Sequence, residues 1–388
     1  MKIIVCYQNQ FGGTDLLLKR LEKWCVKNNI EVYATDENLE CLENEMVDLI
    51  ILPMGSLFNL FELRLKKIKY KKILIWVMGP CYISSYLNKD KLESTNFWVK
   101  IISSFLLSRA KRSISYFHKL NSIIFTDIPS AMLDLDYILK GKSIELKELV
   151  FPVAVDEYKK LLYPKNNYLS KMENIKICWL GRLSKDFKLY TLLKIIEDFE
   201  NKVKNGYNSK TFEFTIIGDG DGLDELINYL EKSIFKFRII KHIEYEEIPE
   251  TLKKNADILF AMGTSAIDGA KIGCPTVIVK PMTNKNQYSD IYTWFFDMQG
   301  YSLGDLGDSY PGQKNQNFEE IFEEIFSIDN LSYRCKDFSE RFYSRNIFKK
   351  LLSEKRVSKI NNITTIGWTI IIEAYILKKI RKILKGIC

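Results

Sequence analysis

The chain has 388 residues, 46% hydrophobic, 13% aromatic and 27% charged. That composition excludes a disordered or collagen-like polymer, and the length suits two globular domains of roughly 100–200 residues each. Lys and Arg total 57 against 49 Asp and Glu, a formal charge of +8, which suits an anionic ligand or membrane surface and does not call for nucleic acid.

In chain order, the N-terminus reads Met1-Lys2-Ile3-Ile4-Val5-Cys6-Tyr7-Gln8. This is a β-like run without the basic start and long apolar stretch of a secretory signal, so the expected location is the cytoplasm. Ile3–Tyr7, Leu49–Pro53, Ile73–Met78, Ser122–Thr126 and Leu149–Val153 read as buried strands. Thr14–Asn29 carries helical spacing through Leu17, Leu18, Leu21, Trp24 and Cys25. Strands alternating with helices predict a Rossmann-like domain over 1–156. The polar, strand-free stretch 157–174 reads as a linker. A second set, Ile175–Leu180, Phe212–Ile217, Phe237–Lys241, Ile258–Ala261 and Thr276–Lys280, predicts another Rossmann-like domain over 175–350. Residues 351–388 form a separate tail.

Eight cysteines without a Cys-x-x-Cys pair, and only two histidines, leave no zinc-site spacing. Cys6 and Cys178, inside apolar runs, are expected as small core residues and not nucleophiles. His118 reads as a surface helix residue, and His242 follows the strand Phe237–Lys241 without a catalytic role.

Two segments are basic and amphipathic. Phe97–Lys119 interleaves Trp98, Ile101, Phe105 and Phe117 with Lys100, Arg109, Lys111 and Arg112, and reads mainly as a core-facing helix. In the tail, Ile366, Ile370, Ala374, Leu377 and Ile380 share one helical face, while Lys378, Lys379, Arg381 and Lys382 lie mostly elsewhere. Its apolar stretch is shorter than the ~20 residues of a bilayer span. The tail therefore either lies in a membrane interface with Trp368 and Tyr375 at headgroup level or docks on the protein.

Four motifs can carry chemistry. After the strand Ile175–Leu180 comes a Gly181-Arg182 corner, with Lys188 at the start of a helix Tyr190–Phe199. Two cations at the C-terminal end of a parallel strand, beside a helix N-terminus, suit a phosphate or pyrophosphate. The strand Ile258–Ala261 ends in Gly263-Thr264-Ser265, where Thr264 or Ser265 can cap a helix whose free N–H groups form a second anion site. Asp268, one turn in, can accept from a vicinal diol such as a ribose, or simply complement the helix dipole. The strand Phe212–Ile217 runs into Gly218-Asp219-Gly220-Asp221-Gly222, which fails as a dinucleotide fingerprint because Leu223 stands where the third glycine belongs. Asp219-x-Asp221, like Asp134-x-Asp136, imitates a metal-holding carboxylate pair, but turn chemistry explains it equally, and no metal is expected. Gly12 and Gly13 follow the first strand and let the backbone approach a ligand closely, or form an ordinary turn.

Taken in order, these residues resemble the GT-B glycosyltransferases of the large family 4 type, in particular those of bacterial surface-polysaccharide assembly. Gly12-Gly13 matches the N-terminal glycine loop, and Gly181-Arg182 with Lys188 looks like the "GRL…K" pyrophosphate clamp. Gly218-Asp219-Gly220 is similar to "GDG", and Asp268 through Pro275 follows "E-A-x-x-x-G-x-P". The resemblance implies a GT-B fold: two Rossmann-like domains facing a central crevice, here with an amphipathic C-terminal helix. It implies a nucleotide-sugar donor, UDP- or GDP-linked, on the C-terminal domain. There Arg182 and Lys188 would hold the pyrophosphate, Gly263, Thr264 and Ser265 would lie near the phosphates, and Asp268 would meet the ribose. It further implies an acceptor on the N-terminal domain, retention at the sugar carbon, and no required metal or cofactor. Asp268 replaces the second of the family's paired glutamates, Phe260 stands where the first would fall, and Lys185 is an alternative to Lys188.

The reading is a cytoplasmic glycosyltransferase, peripheral on the inner face of the plasma membrane, that moves a hexose-type unit to a glycan or lipid-linked acceptor. Arg182, Lys188 and Asp268 are its catalytic candidates. Its donor-binding candidates are Gly12, Gly13, Gly181, Gly218, Gly263, Thr264 and Ser265. An anionic membrane surface is a further candidate partner. Two alternatives stay open: an inactive sugar-nucleotide-binding partner subunit, and a nucleotide-sugar epimerase of the same fold.

Overall fold

A computed structural model describes residues 1–7, 13–35, 39–78, 97–139, 146–164, 169–185, 187–207, 209–284, 287, 289–304, 315–363 and 367–376. The chain divides into two compact units, Met1–Ala154 with Ser344–Cys388, and Val155–Tyr343.

The first unit is built on five parallel strands: β1 (Lys2–Val5), β2 (Glu31–Ala34), β3 (Met46–Pro53), β4 (Lys69–Val77) and β5 (Ile123–Phe125). Their spatial order is β2-β1-β3-β4-β5. Side chains alternate between the two faces of a strand, so each face gathers its own core. Ile4, Ile50, Leu52, Ile73 and Ile75 meet Leu60, Leu63, Ile114 and Phe117. Ile3, Val5, Leu49, Ile51 and Trp76 meet Leu17, Leu18, Leu21 and Phe348. Cys6 is fully buried, and burial pushes its thiol well above the usual range. Strand β2 escapes a sequence reading because it is an edge strand with only Ala34 buried, and so shows no apolar run. The expected strand Leu149–Val153 does not form. Leu146–Leu149 is a helical turn, after which Val150 makes an isolated bridge to Phe125.

Residues 344–350 pack in the first unit, although their position in the chain suggested the second. Phe348 lies with its ring 6.0 Å from Trp24 and 6.4 Å from Trp76. The tail's helix 367–376 docks on the protein. Ile370 and Ile371 are buried, Trp368 packs 5.5 Å from Tyr70 with the Arg64 guanidinium 4.0 Å over its ring, and Tyr375 packs 4.6 Å from Phe61. Glu373 accepts from Arg109 at 2.6 Å and Arg112 at 3.3 Å, tying the tail to the helix Phe97–Lys119. Of the two readings of the tail, these contacts match docking on the protein, with both rings against apolar or aromatic partners. Residues 377–388 lie outside the described residues. No described helix is long and apolar enough to cross a membrane. His118 is half-buried instead of exposed, and burial lowers its pKa.

The second unit holds β6 (Asn174–Leu180), β7 (Thr211–Ile217), β8 (Lys236–Ile240), β9 (Ile258–Ala261), β10 (Thr276–Val279) and β11 (Tyr292–Trp294), in the order β11-β10-β9-β6-β7-β8. All pairs are parallel except β10 with β11. Strand β11 is a second edge strand that the sequence does not announce, being only three residues long. Phe199, on the helix Leu189–Lys204, is the hub of the core. Phe318, Phe212, Phe214, Phe260 and Phe322 surround it at 4.9–6.0 Å, edge to face. The expected linker packs on this unit through buried Tyr163 and Leu169 and through the Leu162 amide, which donates to Ile272 O at 3.0 Å.

Candidate functional site

In the second unit the strand order reverses between β6 and β9, which pair so that Leu180 stands beside Ala261. An open parallel sheet binds ligands beyond the carboxyl ends of its strands at such a reversal. Gly181-Arg182 and Met262-Gly263 are the residues that leave the sheet there.

The loop after β6 is laced to the loop after β7. Gly181 N donates to Ile217 O at 3.0 Å, Leu183 N to Asp219 O at 2.9 Å, and Gly222 N to Leu183 O at 2.8 Å. A Cβ on Gly218 would stand 2.0 Å from Gly181 O, and one on Gly220 would stand 2.5 Å from Leu183 O. The glycines of Gly218-Asp219-Gly220 therefore let two backbones touch, and through that contact they set the position of Arg182. Asp219 accepts from the Gly220 amide at 2.8 Å, and Asp221 from the Lys185 amide at 3.2 Å, as turn carboxylates do. Asp134 and Asp136 fall inside the helix Ile128–Leu139 of the first unit. Among the described residues no three His, Cys, Asp or Glu side chains gather as a metal site.

Lys188 precedes the helix Leu189–Lys204, its Nζ 3.5 Å from where a Cβ on Gly181 would sit. It is half-buried and makes no ion pair among the described residues. Burial, and then the neighbouring Arg182 guanidinium, pull its pKa down to about 8. Arg182 is exposed and likewise has no acidic partner among the described residues. Lys185 lies with its ammonium 3.6 Å from Glu225, so of the two lysines Lys188 is the one without a counter-charge among the described residues. Two cations with no anionic partner among the described residues make a site that a phosphate group would complete.

At the end of β9, Gly263 adopts φ 67° and ψ −146°, a conformation that only glycine takes readily. Gly263 is itself the N-cap, with no side-chain cap, so neither Thr264 nor Ser265 caps the helix as expected. Both are already helical, one and two residues past the capping position, too late to reach back to the free N–H groups. Their half-buried hydroxyls make no hydrogen bond among the described residues.

Asp268 is 5% exposed and held in a network that the sequence analysis did not anticipate. Its Oδ1 accepts from Lys271 Nζ at 2.7 Å and from the Tyr245 hydroxyl at 3.1 Å, while Lys271 also reaches the Tyr245 oxygen at 2.7 Å. Burial works against the Lys271 charge, but Asp268 and Tyr245 outweigh it and hold its pKa above the usual value. The three-residue spacing of Asp268 and Lys271 on a helix was the available signal. Tyr245 arrives from the segment after β8 and left none. Phe260 has its ring in the core, 5.9 Å from Phe199. His242 is exposed beside Glu244. In the first unit, Gly12 lies outside the described residues. Gly13 opens the helix Gly13–Lys27 after β1, where that sheet's strand order also reverses.

No protein-family profile matches the sequence, and no curated protein does. Solved structures do. The E. coli trehalose-6-phosphate structure bound with UDP-2-fluoro glucose aligns over 94% of this chain and 100% of its own, at 10% identity and a TM-score of 0.54. The lipopolysaccharide outer core galactosyltransferase WaaB in its apo form aligns over 90% and 98%, at 14% identity and a TM-score of 0.52. An alpha-glucosyltransferase in complex with UDP aligns over 92% and 99%, at 10% identity and a TM-score of 0.50. At such identities the likeness establishes architecture, and the architecture is the GT-B fold of glycosyltransferases.

Proposed function

We propose that the chain is a glycosyltransferase that moves a hexose-type unit from a UDP- or GDP-linked donor to a glycan or lipid-linked acceptor in surface-glycan assembly. The observation that carries this reading is Lys188, a half-buried ammonium with no acidic partner among the described residues, next to Arg182 at the strand-order reversal of the second unit. When the bond from the sugar's anomeric carbon to the diphosphate breaks, negative charge grows on the departing oxygen. In this reading Arg182 and Lys188 stabilise it and no metal ion is required, and fixed charge of this kind usually contributes most to the rate of transfer chemistry. The free hydroxyls of Thr264 and Ser265 would add donors to the phosphates. The UDP and UDP-2-fluoro glucose in two of the similar structures support a nucleotide-sugar donor. Retention, a cytoplasmic location and contact with an anionic inner membrane surface belong to the same reading. The membrane contact would rest on the basic residues Lys378, Lys379, Arg381, Lys382 and Lys385.

Calorimetric titration with UDP, GDP, ADP and CMP and their common sugars, without metal, tests the donor. One nucleotide class should bind, and Arg182→Ala or Lys188→Ala should lower turnover about 10²–10³-fold with the fold intact. Near-normal turnover in both variants would remove the mechanism. Phe260 in the core and the engagement of Asp268 by Lys271 favour a second reading, a donor-binding subunit without activity of its own. Donor binding with no transfer or donor hydrolysis, together with a tight protein partner, would select it.

A further inference from the structure

The first unit carries a second concentration of unbalanced cations, in a cavity of about 330 Å³ between the segment Leu149–Phe151 and the helices Ser344–Leu351 and Glu354–Ser358. Lys350, Lys355, Arg356 and Lys359 line it, against a single carboxylate, Glu148. Glu148 is taken up by Lys359 at 3.3 Å. Lys350, Lys355 and Arg356 make no direct ion pair among the described residues, and Arg356 shares only the more distant charge of Glu148. Phe151, 2% exposed, contributes the apolar wall. The Lys350 ammonium lies 5.3 Å and the Arg356 guanidinium 5.8 Å from the centre of its ring, which holds both heads at the cavity.

Arg356 is the most informative member. One terminal nitrogen donates to Asn121 O at 3.1 Å, but its Nε is buried and has no hydrogen-bond partner among the described residues. An unsatisfied buried donor is uncommon, and on a charged group it is costly. Burial also pulls the arginine's pKa below its ordinary value, against the opposing pull of the Glu148 carboxylate. A planar guanidinium with two point-charge ammonium groups in a concave, partly apolar site matches the tetrahedral oxygens of a phosphate. The volume lies near the lower end of the roughly 300–1,000 Å³ of small-molecule sites.

We propose that this cavity binds the phosphate group of a small phosphorylated ligand, separately from any nucleotide held by the second unit. The ligand is either a soluble phosphate monoester or the headgroup of a phosphate-bearing lipid. The two share the chemistry of a dianionic or monoanionic phosphate beside a small apolar or hydroxylated body.

The full chain with Arg182→Ala and Lys188→Ala, which silences the proposed donor clamp, is titrated by calorimetry with inorganic phosphate and glycerol 3-phosphate. In parallel it is sedimented with phosphatidylcholine vesicles with and without phosphatidic acid. Saturable binding of one soluble phosphate, weakened at least about tenfold by Lys350→Gln with Lys355→Gln, assigns a soluble ligand. Binding only to phosphatidic acid vesicles, lost in the same variant, assigns a lipid headgroup. Both lysines are free of ion pairs among the described residues, so thermal unfolding of the variant should be unchanged, and Arg356→Lys tests the guanidinium separately. Absence of binding in both arms, or binding as strong in the lysine variant as in its parent, overturns the proposal. Neither result depends on whether the protein transfers sugar.

Discussion

Lys188 shows how one side chain can report a site. Desolvation and Arg182 bring its pKa to about 8, below its ordinary 10.5. The charged form therefore weakens the folded state below pH about 8, and that cost fades as pH rises toward 10.5. Ligand binding has the opposite trend, because the cation that meets the phosphate is lost above pH about 8. UDP affinity measured from pH ~7 to ~9 should fall through about 8, and Lys188→Arg should flatten the profile, since a guanidinium stays charged. A profile unchanged by that substitution would take Lys188 out of the site. Lys271 differs because its charge is balanced internally. Lys271→Met leaves Asp268 buried and uncompensated and should cost about 3–5 kcal/mol in chemical denaturation. Adding Asp268→Asn should cost less than the sum of the two single changes, and strict additivity would deny the pair.

At the scale of elements, the site depends on two loops sharing one backbone contact. Gly218 lies so close to Gly181 O that any side chain displaces the loop carrying Arg182. Gly218→Ala should destabilise the protein by about 2 kcal/mol or more, seen as a lower melting temperature, and should weaken nucleotide binding with it. Gly13 opens a helix and a Cβ there meets nothing within 4 Å. Gly13→Ala should therefore leave stability within about 0.5 kcal/mol. Equal losses in the two variants would mean that the Gly218 contact does not govern the loop. The motif Gly218-Asp219-Gly220 was legible in the sequence, but its role as a bracket was not, because the atom it must avoid belongs to Gly181, on the far side of an intervening helix and strand.

On the scale of the whole molecule, the chain leaves the first unit at Ala154 and returns to it at Ser344. The returning segment is structural. Phe348 lies against Trp24 and Trp76, and Ile370 and Ile371 complete the opposite face of the same sheet. Phe348→Ala should cost about 3–5 kcal/mol and change the intrinsic fluorescence of the first unit's tryptophans on unfolding. A loss below about 1 kcal/mol would show that the segment is only loosely attached. The tail's basic, amphipathic pattern was plain in the sequence. Which surface it would cover was not, because a helix with an apolar face reads the same whether that face meets lipid or protein.

The sequence by itself determined the two α/β units, nearly all the buried strands, and the candidate cations Arg182 and Lys188. Continuous apolar runs and glycine-ended strands are local signals that need no partner to be read. Two edge strands lie beyond such signals: β2 is largely exposed and has no apolar run, and β11 is buried but too short, with Thr293 at its centre, to form one. Only the tertiary structure decided that Lys185 has a counter-charge while Lys188 has none among the described residues. It alone joined Asp268 to Lys271 and Tyr245, placed Phe260 in an aromatic core, and brought Arg356 to a cavity with Phe151. Each of these depends on which side chains meet across long stretches of chain, and that is set by strand order and packing, which no local pattern of residues records.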